Sequence, residues 1–129
     1  MDKKLLVLGS TLGFLAVMLG AFGAHGLEKL ITEDAINTFE VGVRYQFYHA
    51  FLALFVGALG KNISARAKFF AFYGILIGVL FFSGSIYGLA TNTLSAFDFT
   101  SIALITPLGG SILLLVWLCL IIQFIKIKP

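Results

Sequence analysis

Four uncharged stretches divide this chain, at residues 5–27, 45–60, 69–97 and 99–125, with His25 inside the first and His49 inside the second. A helix needs roughly 20 apolar residues to cross about 30 Å of hydrocarbon, so the first, third and fourth are long enough to span a membrane. The second, with 16 residues, has to extend upstream through Arg44, whose long stem carries its charge back to the interface. Four spans nearly use up 129 residues, which leaves a single domain over residues 1–129 with short connections. A 60% hydrophobic composition and a mean hydropathy of +1.04 fit this reading, because a soluble domain has to cover its surface with polar groups.

Charge placement gives an independent orientation. Lys and Arg favour the cytoplasmic side of short loops. Lys3 and Lys4 precede the first span, Lys61, Arg66 and Lys68 separate the second from the third, and Lys126 and Lys128 follow the fourth. Four crossings put these seven of nine basic residues on one side, and Glu28, Glu33, Asp34, Glu40 and Asp98 on the other. The expected fold is therefore an all-α polytopic membrane protein with four transmembrane helices in a compact bundle, N-in/C-in, in the plasma membrane. The first apolar run, about 20 residues, exceeds the usual 7 to 15 of a cleaved signal core and reads as a retained span.

Helices in lipid associate through close packing and buried hydrogen bonds, so small residues should mark their contacts. They fall at Gly9, Gly13, Ala16, Gly20 and Gly23, at Ala50, Ala53, Gly57 and Gly60, and at Ala67, Ala71, Gly74 and Gly78. Alternating steps of four and three average 3.5 residues and favour a left-handed bundle. The fourth stretch has Gly109 and Gly110 near its start and is otherwise large and branched, so it should face lipid or a second copy in a homo-oligomer.

Gly23-Ala24-His25-Gly26 should end the first helix, with glycine as the cap. Thr32-Glu33-Asp34 reads as a helix start. Ala35, Ile36, Phe39 and Val43 recur at helical spacing, which predicts a partly interfacial helix leading into the second span. Pro107 either starts the fourth helix or kinks it.

Polar groups able to act on a ligand are expected near the outer end: His25, Arg44, Tyr45, Gln46, His49, Ser85, Tyr87 and Thr106. A histidine within a span needs a partner, so His49, with Gln46 three residues earlier on the same face, should point inward. His49 and Gln46 read first as interhelical struts, with His25 helping to cap a helix end; the alternative is that His25 and His49 hold a small molecule, ion or proton in one pocket. Two histidines fall short of a metal's three or four ligands, and no cofactor is expected. Scattered basic residues provide no stripe for nucleic acid. Ser83-Gly84-Ser85 lacks a nucleophile elbow, and no phosphate-loop or dinucleotide pattern occurs. Cys119 stands alone in an apolar run and reads as a packing residue.

The strings GAFGAHGL from Gly20, YQFYH from Tyr45, FFSGSIY from Phe81 and TPLGG from Thr106, followed by Trp117, resemble the small membrane proteins of domain-of-unknown-function family 423. The resemblance covers essentially the whole chain and implies four spans, with almost no mechanism. Its signature falls on Gly20, Phe22, Gly23, His25, Gly26, Tyr45, Gln46, His49, Ser83, Gly84, Ser85, Tyr87, Thr106, Pro107, Gly109 and Gly110. The connection between Thr91 and Ser101 departs from the family pattern and looks longer. The expectation for function is a non-enzymatic bundle serving membrane integrity or assembly; the alternative is a binding or transport protein using His25 and His49.

Overall fold

The computed structural model describes residues 1–128, and its regular structure is entirely helical. Four α-helices follow one another: α1 (Lys3–His25), α2 (Glu33–Ala58), α3 (Ala65–Ala90) and α4 (Ile105–Ile125). Three begin with a side-chain cap on an otherwise orphaned N–H. Asp2 accepts from the Leu5 N–H, Thr32 from Ala35, and Ser64 from Ala67. The segments Lys3–His25, Ala65–Ala90 and Phe99–Ile125 are long and apolar enough to cross a membrane. The helix α2 is not among them; it is the least apolar, because Glu33, Asp34, Glu40, Arg44, Gln46 and His49 lie within it.

Several boundaries differ from the sequence expectation. The interfacial lead-in and the second span are one continuous rod, since α2 runs unbroken for 26 residues. Its first turns pack into the bundle, with Phe39 2% exposed and lying against Gly23 of α1. Gly26 follows α1 at an ordinary helical φ of −87°, so it does not act as a left-handed cap; its missing Cβ instead leaves room for the Phe22 ring. Pro107 sits in the first turn of α4 and starts it. Gly60 lies past the end of α2 with φ +59°, so it turns the chain rather than extending the helix seam.

The remaining small residues mark where backbones meet. A Cβ on Gly9 would sit 2.7 Å from the Ala50 carbonyl oxygen and 2.9 Å from the Leu54 nitrogen. Gly57 faces Leu5 and Leu6 in the same α1·α2 contact, Gly20 faces Val43, and Ala16 and Ala53 are fully buried. The α3 seam turns toward α4: Gly74 receives Val116, Gly78 receives Leu113, and Gly109 rests on the backbone of Phe81 and Phe82. Ala50, Ala67 and Ala71 join Leu5, Ile75, Val116 and Leu120 in one apolar core. Within this core α2 packs against α3, while α1 and α4 flank them. The outer faces are large and apolar, as at Phe14, Phe51, Leu114 and Leu118, which suits contact with lipid chains.

Short 3-10 turns at Asn92–Leu94 and Phe99–Ile102 fill the α3–α4 connection. Asp98 accepts from the Thr100 hydroxyl at 2.6 Å and from its N–H at 3.1 Å, and Asn92 accepts from the Phe99 N–H at 2.8 Å. These bonds hold the Phe99 ring against Gly88.

Gly9→Ala should lower the stability of the purified protein by roughly 1–3 kcal/mol through overpacking. Gly13→Ala should be nearly neutral, because its Cβ would meet only the Ala50 methyl at 3.9 Å; thermal melts in detergent compare the two. The Thr100 side chain, then its backbone N–H, hold the Asp98 carboxyl below its ordinary value of 3.8. The stabilisation that Asp98 adds to this connection is therefore present above the unfolded carboxyl value and is lost as pH falls through the folded one. Thr100→Val should move the Asp98 titration, followed by carboxyl NMR, back upward.

Candidate functional site

Four buried polar side chains, Gln46, His49, Ser83 and Ser85, lie inside the bundle. Gln46 donates its amide to the Leu12 carbonyl oxygen of α1 at 2.9 Å and accepts from the Tyr87 hydroxyl of α3 at 2.7 Å. Ser83 donates to the Gly42 carbonyl oxygen of α2 at 2.8 Å. Gly42 has a second part in this contact: a Cβ there would lie 2.6 Å from the Tyr87 ring, so glycine admits the tyrosine to Gln46. Ser85 has one proton and points it at the carbonyls of its own helix, Phe81 at 2.5 Å or Phe82 at 3.0 Å. Its lone pairs then accept from the Thr106 hydroxyl of α4, 2.6 Å away.

His49 closes the link between α2 and α4. Trp117 Nε1 lies 3.1 Å from His49 Nε2, and an indole N–H can only donate. His49 Nε2 is therefore the acceptor, so the proton sits on Nδ1 and is donated to the Tyr45 carbonyl oxygen at 2.7 Å. Both ring nitrogens of this neutral tautomer are engaged. Among the described residues no buried polar side-chain atom lacks a partner, and no cluster of three or more potential metal ligands occurs.

The structure separates His25 from His49. His25 is exposed at the last residue of α1, whereas His49 is 3% exposed. The level of His25 is fixed by Gly23, which meets Phe39, and His49 lies ten residues farther along α2, about 15 Å at helical rise. The geometry therefore buries His49 within the bundle and leaves His25 exposed at the end of α1. The cause is α2 itself: it runs unbroken from Glu33 to Ala58, so His49 stands sixteen residues after its start and nine before its end. Arg44 is exposed, and Tyr45, also exposed, lays its ring on Phe82 at 5.0 Å. An open cleft of about 380 Å³ between α2 and α4 is lined by Tyr45, His49, Phe82, Pro107, Ser111 and Trp117, among others.

Gln46, His49, Ser85, Tyr87 and Thr106 are thus linked in interhelical contacts, while His25 and Arg44 stand apart. Sequence reasoning missed Gly42 and Trp117 as partners. A tryptophan N–H in an apolar span has to find an acceptor, and that signal pointed to Trp117.

The profile described as "Protein of unknown function (DUF423)" matches residues 19–110, the segment holding all of these residues except Leu12, Ser111 and Trp117. The chain belongs to the DUF423 family. It is 38% identical to a UPF0382 membrane protein of Haemophilus influenzae, over 99% of this chain and 98% of that one. It is 35% identical to the UPF0382 membrane protein YwdK of Bacillus subtilis, over 96% and 98%. It is 33% identical to the UPF0382 inner membrane protein YgdD of Escherichia coli, over 98% and 93%. No solved structure matches it. The chain is accordingly a helical membrane protein of a family whose molecular activity is unknown.

Gln46→Leu in this DUF423 protein removes two interhelical bonds and strands the Tyr87 hydroxyl, and should cost about 1–3 kcal/mol of stability. The same variant should leave His49 paired. The only tryptophan gives one indole N–H resonance, which should move in His49→Phe and stay nearly in place in Gln46→Leu.

Proposed function

We propose that this protein works without chemistry of its own, as a four-span bundle that supports plasma-membrane integrity or the assembly of a larger membrane complex. The observation that carries this reading is the use made of its buried polar groups. Gln46, His49, Ser83 and Ser85 are all engaged in bonds that join helices or fix their rotamers, which suits struts better than catalysts.

In this reading α2 is a crossing. Its 26 residues extend about 39 Å, more than the hydrocarbon thickness, and it lies along α1 from Gly23 to Leu5. Both termini then share the cytoplasmic side with the Lys61 turn, as the basic residues favour. The apolar outer face of α4 meets lipid or a second copy.

A second reading rests on the cleft beside His49, which could admit a small apolar molecule with a polar group for the His49 and Trp117 edge. It places binding at mid-bundle and leaves His25 out.

In a Cys119→Ala background, single cysteines at Lys61 and Glu33 should react with impermeant reagents from opposite sides of the membrane. Reaction from one common side would remove the α2 crossing. His49→Gln retains an acceptor for Trp117 and should preserve both assembly and cellular activity, whereas Gly9→Leu should lose both. A His49→Gln protein that assembles fully yet is inactive would favour the binding reading.

A further inference from the structure

Away from the polar links, a groove follows the α3·α4 contact on the outside of the bundle. At the lysine-rich end it encloses about 340 Å³, with Ser64, Arg66, Gln123 and Lys126 at the helix ends and Phe70 and Ile122 a turn deeper. It continues into a second section of about 460 Å³ that shares Phe70, Leu115 and Cys119 and reaches Tyr73, Ile77 and Ile112. The groove exists because Gly74 and Gly78 draw α4 onto α3, leaving a valley between rows of exposed apolar side chains such as Phe70, Tyr73 and Leu115.

The two ends differ in chemistry. Among the described residues, two cations and no carboxylate line the mouth. The Arg66 guanidinium stands 5.9 Å above the centre of the Phe70 ring, a contact that keeps the charge at the groove. Ser64 donates to Gln123 at 2.9 Å, joining the ends of α3 and α4 across the mouth. The trough beyond is apolar, and from Arg66 to Ile77 it runs eleven residues of α3, about 16 Å. That is close to one leaflet, half of about 30 Å.

A charged mouth above a trough of one leaflet's depth matches an acyl chain carrying an anionic head. A second copy of this chain fits poorly, since a two-fold contact through the same patch would oppose Arg66 and Lys126 to themselves. A zwitterionic head would bring its own cation to a mouth already lined by Arg66 and Lys126. We propose that the α3·α4 groove binds one anionic phospholipid, with its phosphate between Arg66 and Lys126 and an acyl chain along Phe70, Leu115 and Cys119. This assignment rests on the groove alone and stands or falls separately from the role proposed for the whole bundle.

The test is lipid retention by the full chain, read by native mass spectrometry after extraction from bilayers of equal phosphatidylglycerol and phosphatidylcholine. The wild type should retain one phosphatidylglycerol with a preference on the order of tenfold. Arg66→Gln with Lys126→Gln should bring that preference near parity. Lys61→Gln with Lys128→Gln removes the same charge from the same end outside the groove and should keep it. Leu115→Trp fills the trough with both cations intact and should reduce retention of either lipid. Because these side chains are exposed, folding should persist, and the Trp117 indole resonance verifies it in each charge variant. Equal loss in both charge-pair variants would reassign the effect to diffuse surface charge and overturn the site. A preference that survives Arg66→Gln with Lys126→Gln would overturn it as well.

Discussion

A side-chain amide buried between helices finds no water to bond, and Gln46, 4% exposed, meets that constraint by joining three helices. Its donor is used on the Leu12 carbonyl oxygen of α1 and its acceptor on the Tyr87 hydroxyl of α3. Slipping α2 by one residue against either neighbour would leave at least one of these groups unpaired, which is costly in lipid. The position of Gln46 near the middle of α2 therefore sets the register of the bundle. Gly42 and Ser83 belong to the same arrangement, one by admitting the Tyr87 ring and the other by bonding back to the Gly42 carbonyl oxygen.

Two kinds of contact hold the helices together. Within the hairpins α1·α2 and α3·α4, glycines bring backbones together at Gly9, Gly57, Gly78 and Gly109. Between the hairpins, polar pairs cross at Gln46–Tyr87, Ser83–Gly42 and His49–Trp117, beside the apolar core of Ala53, Val56, Ile75 and Val79. Apolar exclusion has little force between helices already in hydrocarbon. Packing and hydrogen bonds must supply the cohesion, and polar links also occur within the hairpins, at Gln46–Leu12 and Ser85–Thr106.

The same arrangement shapes the surfaces available to other molecules. Close packing of α3 on α4 leaves the basic-mouthed groove, whereas α2 and α4 meet through long side chains, Phe55 on Phe124 and His49 on Trp117. The cleft beside His49 lies along that looser contact.

The sequence by itself determined the class of the protein, its helices and its family. Uncharged runs of span length have one stable outcome in lipid, caps such as Thr32 are local, and the four strings from Gly20 to Gly110 carry the membership. It also marked the small residues, because glycine and alanine at 3.5-residue steps suit any helix contact. Which helix each seam would face was decided only in three dimensions: that of α3 turned to α4, and Gly60 left its seam for a turn. The candidate site was legible as residue types but not as a place. Gln46 and His49 needed partners that one-dimensional spacing cannot supply, and Leu12, Tyr87 and Trp117 lie 34, 41 and 68 positions away. The distance from His25 to His49 depended on how far α2 enters the bundle before its first buried polar residue, which is set by packing against α1 rather than by any local pattern.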